Sequence, residues 1–193
     1  MEELKNAIEA WGRGIGSEIV KVDMFLNHRI DVGLLTRMGQ AFYEAFSTEP
    51  VDLILTIEAS GIAAAVTTAQ AFGNIPVVFA KKGETTNVGQ DVYVSRVYSF
   101  THRQENIVRV SREYLKPRQR VLIIDDFLAN GEAIDGLRDI LHQAGCVLAG
   151  VGICIEKGFQ PGGKRLRELG IKVKSLAIVD AIQDGKILVR QDV

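Results

Sequence analysis

The sequence predicts an α/β protein built on a doubly wound, mostly parallel sheet, and three observations lead there. Short β-branched apolar runs recur along the chain, each followed by a stretch of helical spacing. The runs are apolar at consecutive rather than alternate positions, as in strands covered on both faces. Glycines fall where helices must stop, at Gly73, Gly145 and Gly170.

Taken in order, residues 1–30 stand apart as a small N-terminal hood: a short helix from Glu2 to Trp11, a strand within Glu18 to Val22, then Phe25-Leu26-Asn27-His28. Val51 to Ile57 predicts the first buried strand. Gly61 to Phe72 is a helix of small residues able to pack closely on a sheet, and Ile75 to Ala80 is the next strand. Residues 81–112 break the rhythm with a polar stretch and an alternation from Asp91 to Tyr98, predicting a mobile loop and a flexible hairpin arm standing off the sheet. Three further strands, Arg120 to Asp125, Val147 to Ile155 and Lys172 to Val179, enclose helices from Gly131 to Ala144 and Lys164 to Leu169. With no repeat and no Pro/Ser-rich linker, 1–193 reads as one domain.

Composition excludes several classes. The 193 residues carry 23 Lys+Arg against 24 Asp+Glu, a net charge of −1. No whole-molecule field exists to hold a polyanion, so neither nucleic acid nor a membrane surface is expected as a partner. Cys146 and Cys154 lack metal or disulfide spacing and read as core thiols of a reducing compartment. The polar start Met1-Glu2-Glu3-Leu4-Lys5 is unlike a signal peptide, and the longest apolar run, Cys146 to Ile155, is half a membrane span. A cytoplasmic protein is expected. His28, His102 and His142 show no metal-ligand spacing, and Ser60, Ser99 and Ser111 lack a nucleophile-elbow context.

The most informative segment is Val121 to Ala133. Buried apolar residues deliver Asp125 and Asp126 to the end of a strand, and a turn of small residues then enters a helix. Such a turn exposes backbone N–H groups at a positive helix end, a ready phosphate site. Ala129 and Gly131 let a phosphate approach, and Asn130 or Glu132 can cap the first turn. Paired carboxylates suit a vicinal diol or the water shell of Mg²⁺; the bland alternative is an acidic N-cap.

These thirteen residues resemble the phosphoribosyl pyrophosphate (PRPP) signature of type I phosphoribosyltransferases. Lys21 to His28, Thr56 to Ala63, Val97 to Thr101 and Ile155 to Gly162 extend the resemblance, in order, to the purine branch of that family. It implies that Asp125 and Asp126 hold the ribose hydroxyls and that Ala129, Asn130, Gly131, Glu132 and Ala133 cradle the 5′-phosphate. It implies that Glu58, Ala59, Ser60 and Gly61 contact pyrophosphate, where the alternative is an ordinary turn capped by Ser60. Lys81 and Lys82 can neutralise a diphosphate, though lysine pairs are commonly just solvated. For the base, the resemblance implies Lys157 donating to a 6-oxo group, Asn27 reading the base edge and Val20, where the family usually has Leu, making a main-chain contact. Phe127 stacks on the base or belongs to the core.

The implied activity is transfer of the phosphoribosyl group from PRPP to a 6-oxopurine, xanthine first, with Mg²⁺ carried in by PRPP, no certain protein-bound metal, and a homodimer. The alternatives are guanine, hypoxanthine or adenine as base, a PRPP-sensing regulator without catalysis, and a plain α/β binding protein. One segment, Gly158 to Arg165, nearly spells a phosphate-binding GxxxxGK loop, but Arg165 stands where a Mg²⁺-ligating hydroxyl belongs and Pro161 removes an amide.

Overall fold

The computed structural model describes residues 1–83, 91–99 and 104–191. Of the expected mobile loop and arm at 81–112, residues 84–90 and 100–103 lie outside the described residues. The chain runs α1 (Glu2–Trp11), β1 (Arg13–Ile15), β2 (Ile19–Lys21), a π-helical turn (Asp23–Asn27), α2 (Val32–Phe46), β3 (Leu53–Ile57), α3 (Gly61–Ala71), β4 (Val77–Lys82), β5 (Val92–Ser99), β6 (Gln104–Ser111), β7 (Arg120–Leu128), α4 (Glu132–Ala144), β8 (Val147–Lys157), α5 (Gly162–Glu168), β9 (Val173–Gln183) and β10 (Lys186–Val189).

The main sheet has the order β10-β9-β8-β7-β3-β4-β6-β5. Its central strands β9, β8, β7, β3 and β4 are parallel, and the outer strands are antiparallel to their neighbours. Apolar residues in consecutive positions of β7 divide between two cores, as the strand period requires. Leu122 and Ile124 join α1, α2, α3 and the hood on one face. Val121 and Ile123 join α4 on the other. This is the α/β architecture expected.

Three particulars differ from the sequence reading. Helix α2 was not anticipated, although Asp31 caps it by accepting from the Leu34 N–H at 2.9 Å and Leu34, Leu35, Met38, Phe42 and Phe46 bury one helical face. The strand expected at Lys172 to Val179 runs further: β9 extends to Gln183 and pairs with a strand the sequence reading did not include, β10. The turn between them is Asp184-Gly185, both at positive φ (49° and 76°), a hairpin signal present in the sequence. Finally, the arm does not stand clear of the sheet. Its strand β6 joins β4 through Lys81↔Arg109 and Lys82↔Val108, and Tyr93, Val108 and Val110 are buried against the α4 face.

Candidate active site

Strand β7 runs two residues beyond the acid pair, with Phe127↔Ile155 and Leu128↔Glu156 still in register with β8. Asp125 and Asp126 therefore lie inside a ladder, 4% and 6% exposed, rather than at a strand's end. Adjacent strand residues point to opposite sides, and the pair divides accordingly. Asp126 Oδ2 accepts from Asn27 Nδ2 in the hood at 3.2 Å. Asp125 Oδ1 accepts from the Asp126 N–H at 2.9 Å and faces the start of α3. A Cβ on Gly61 would stand 2.9 Å from that oxygen and 2.3 Å from Thr56 Oγ1, so only glycine fits. Burial, and then the neighbouring Asp126 charge, pushes the Asp125 carboxyl well above the usual carboxylate range, while Lys82 pulls the other way.

The turn that follows, Ala129 to Ala133, enters α4 with Gly131 at φ +95°. The expected cap is corrected here: no side chain caps α4, and Asn130 Nδ2 instead donates to Glu132 Oε1 at 3.1 Å. The first-turn N–H groups thus keep their capacity to receive an anion.

The turn after β3 brings Glu58, Ala59, Ser60 and Gly61 beside the acids. The Glu58–Ala59 peptide is cis. Glu58 Oε1 accepts from the Lys82 N–H at 2.7 Å, and Ser60 holds the N-cap position of α3 without a side-chain bond. The two lysines separate by the same alternation. The Lys82 charge is felt at Asp125, whereas Lys81 lines an apolar cavity with Leu53, Phe79 and Tyr114. The structure thus brings one lysine to the acids and turns the other to a different surface.

The remaining residues gather under the hood. Lys157 ends β8, donates to the Glu18 carbonyl at 2.8 Å and lies 5.9 Å from the centre of the Phe127 ring. Its burial lowers its pKa, against the attraction of Glu18. Val20 is buried in the core against which Phe127 packs, and Asn27 is exposed at the end of the π-helical turn. Cys154 is buried and Cys146 half-buried; both thiols are free, but only the first is the core residue expected.

Sequence reasoning passed over Thr56. Its Oγ1 is buried beside Asp125 without a hydrogen-bond partner, and its only signal is a hydroxyl inside the run Leu53 to Ile57. Among the described residues, no three His, Cys, Asp or Glu side chains converge on a metal position, and no helix is long and apolar enough to cross a membrane.

No protein-family model matches the chain. It is 52% identical over 187 residues to the xanthine phosphoribosyltransferase of Ruminiclostridium cellulolyticum, spanning 97% of this chain and 98% of that protein. It is 50% identical over 190 residues to the xanthine phosphoribosyltransferase of Clostridioides difficile, spanning 98% of this chain and all of the relative. Among solved structures it resembles the adenine phosphoribosyltransferase of Rhodothermus marinus, with a TM-score of 0.74 at 21% identity over 92% of this chain and 97% of that one. The Saccharomyces cerevisiae adenine enzyme gives a TM-score of 0.69 at 16% identity over 91% and 99%. At those identities the structural likeness speaks to fold, and the base is left to the sequence relatives and the site.

Proposed function

The chain belongs to the xanthine phosphoribosyltransferase family, and from that premise we propose how its residues divide the work of the reaction. Xanthine and PRPP give xanthosine 5′-monophosphate and pyrophosphate. Displacement at C1′ builds positive charge on the sugar ring and negative charge on the leaving diphosphate. The protein's task is therefore to align two reactants and stabilise opposite charges a few ångströms apart.

The observation that carries this reading is the strand–turn–helix from Asp125 to Ala133, in which two buried acids precede an uncapped helix N-terminus. Asp125 and Asp126 receive the ribose hydroxyls and face the cationic ring. Positive charge arriving beside Asp125 favours its ionised form, the one that burial disfavours in the free protein. The amides of residues 129–133 take the 5′-phosphate. The turn from Glu58 to Gly61, with Lys82, takes the diphosphate, and Lys81, which lines the cavity with Leu53, Phe79 and Tyr114, is left out of that contact.

The acid pair would offer oxygen donors to a Mg²⁺ carried in by PRPP, which would supply charge neutralisation at the diphosphate. Under the hood, Lys157 donates to the 6-oxo group, Asn27 reads the base edge, and Val20 and Phe127 bound the ring. A lysine donor matches an oxo group and mismatches the amino group of adenine. The reading places the enzyme in the cytoplasm and as a homodimer. Phe79 and Tyr114, both exposed beside Lys81, supply apolar surface for a second copy, which sedimentation velocity tests.

A base panel with PRPP and Mg²⁺ tests the specificity. Xanthine is expected to turn over best, and turnover of adenine in its place would sink the assignment. Lys157→Ala is expected to raise KM for xanthine by roughly tenfold or more, the size of a lost charge-assisted hydrogen bond, with KM for PRPP little changed. An effect confined to PRPP would remove Lys157 from the base site.

A further inference from the structure

The segment Gly158 to Arg165, which imitates a phosphate loop without being one, finds its use at the phosphate turn of the neighbouring strand. Helix α5 begins behind residues 129–131. The Gly162 N–H donates to the Ala129 carbonyl at 3.1 Å, and a Cβ on Gly162 would lie 2.3 Å from that oxygen, so the contact admits no side chain. One turn on, Arg165 Nη2 donates to the Asn130 carbonyl at 3.1 Å. The same guanidinium grips Asp135 with both arms, Nη2 to Oδ2 at 2.6 Å and Nη1 to Oδ1 at 3.2 Å. Asp135 belongs to the first turns of α4, and its own N–H bonds back to the Gly131 carbonyl at 3.0 Å.

A trans peptide is planar, with its C=O and N–H directed oppositely. When the carbonyls of Ala129 and Asn130 are held toward α5, the amides of Asn130 and Gly131 are thereby directed away from it, to the side where a phosphate would sit. Gly131 completes the fit: a Cβ there would come within 2.7 Å of Arg165 Nη2. Helix α5 is itself fixed from its other side. Arg167 forms a two-pronged pair with the buried Glu156, Nη1 to Oε1 at 2.8 Å and Nη2 to Oε2 at 2.7 Å, and Ser175 Oγ donates to the same carboxylate. Glu156 immediately precedes Lys157 on β8.

We propose that Arg165 is the positioning residue of the phosphate turn, holding the Asn130 carbonyl and the first turns of α4 so that the amides of residues 130–133 are preset for the 5′-phosphate of PRPP. It rests on the reading of residues 129–133 as the phosphate site. Arg165 touches neither reactant; it acts through the backbone it holds. A guanidinium is required because the role needs two contacts to Asp135 and one to a carbonyl in a fixed fork.

The test uses the full chain with PRPP, Mg²⁺ and xanthine, comparing Arg165→Ala and Arg165→Lys with the unaltered protein. Both variants are expected to raise KM for PRPP by roughly tenfold, the loss of about one charge-assisted hydrogen bond, while KM for xanthine and kcat stay within about threefold. Guanidinium at millimolar concentration is expected to restore part of the PRPP affinity of Arg165→Ala. A purely structural role predicts a lower melting temperature with KM for PRPP unchanged, and that outcome overturns the proposal. If Arg165→Ala fails to fold, Arg165→Lys, which keeps a cation opposite Asp135, decides the matter by the same criterion. Ribose 5-phosphate added to the isotope-labelled, unaltered protein separates the two readings. Shifts of the amide resonances of residues 129–133 with unchanged KM in both variants overturn the role of Arg165 alone. No shift there overturns the phosphate site and this proposal with it.

Discussion

The turns after β3 and β7 are built to one plan, strand into small-residue turn into helix, yet they are held from opposite sides. The turn after β7 is braced from behind, its carbonyls taken by Gly162 and Arg165. The turn after β3 has no such brace among the described residues. It is pinned from within the site, where Glu58 receives the Lys82 N–H and Gly61 lies against Asp125 and Thr56. One turn is thus preset independently of the acids, and the other shares its packing with them. The difference suits the chemistry proposed. The 5′-phosphate stays bound throughout the reaction and gains from a rigid cradle, whereas the diphosphate leaves, and its turn adjoins the acid whose charge state responds to the sugar.

The largest expected effect comes from removing the acids that the second turn leans on. Asp125→Asn combined with Asp126→Asn is expected to lower kcat/KM by roughly 10²–10³, the scale of lost preorganised charge stabilisation, with the fold intact by circular dichroism. Near-normal rates would remove the role given to the pair. Asp125→Asn alone should show the opposite sign in stability. The folded protein holds this carboxyl above its ordinary 3.8, so the unaltered chain loses stability as pH rises from about 3.8 toward the raised value. The variant has no such loss. Its melting temperature relative to the unaltered protein is therefore expected to climb across that window and then level off. A difference that shrinks with rising pH would contradict the burial account.

Next in size is Gly61→Ala, which pushes a methyl toward Thr56 Oγ1 and Asp125 Oδ1. Overpacking of this kind costs about 1–3 kcal/mol, and KM for PRPP should rise with it. Double-mutant cycles then probe the comparison directly. Gly61→Ala and Asp125→Asn share an atom contact and should be strongly non-additive, while Gly61→Ala and Arg165→Lys share no partner and should add. Coupling between the two turns would show that they are one unit.

What could be read from sequence follows the same division. The acid pair and the phosphate turn were legible because their signal is local: four apolar residues, two acids and a glycine that the left-handed conformation at residue 131 requires. The five central strands were legible for a similar reason, each carrying its own apolar run. The brace was not, since Arg165 and Asn130 lie 35 residues apart and meet only because β7 and β8 are neighbours. The same holds for the Asn27–Asp126 contact, which spans 99 residues. The opposite facing of Lys81 and Lys82 needed the end of β4, which the structure puts at Lys82 rather than Ala80. Helix α2 and the Asp184-Gly185 hairpin did carry local signals, a cap with helical spacing and a turn pair, so those two went unread rather than being unreadable.

The smallest expected effect lies at the far ends of the same two strands and serves as the control. Asp52, just before β3, accepts from the Arg120 N–H at 2.8 Å, from Nε at 2.9 Å and from Nη2 at 2.6 Å. Arg120 opens β7, so this pair ties together the amino ends of the strands whose carboxyl ends carry the two turns. The Arg120 bonds hold the Asp52 carboxyl down to about 2, below its ordinary 3.8. A depressed carboxylate contributes stability above 3.8 that is lost as pH falls from there to about 2. The pair sits at the surface, where solvent screens it, so it is worth roughly 2–4 °C at most for a chain of this size. Asp52→Asn should accordingly lower the melting temperature by no more than that at neutral pH, and the deficit should fade below pH 3. Its kinetic constants for PRPP and xanthine should match the unaltered protein, because neither turn depends on this end of the strands. A change in KM for PRPP would mean that the turns take their geometry from the whole length of β3 and β7 rather than from the contacts around Gly61 and Arg165.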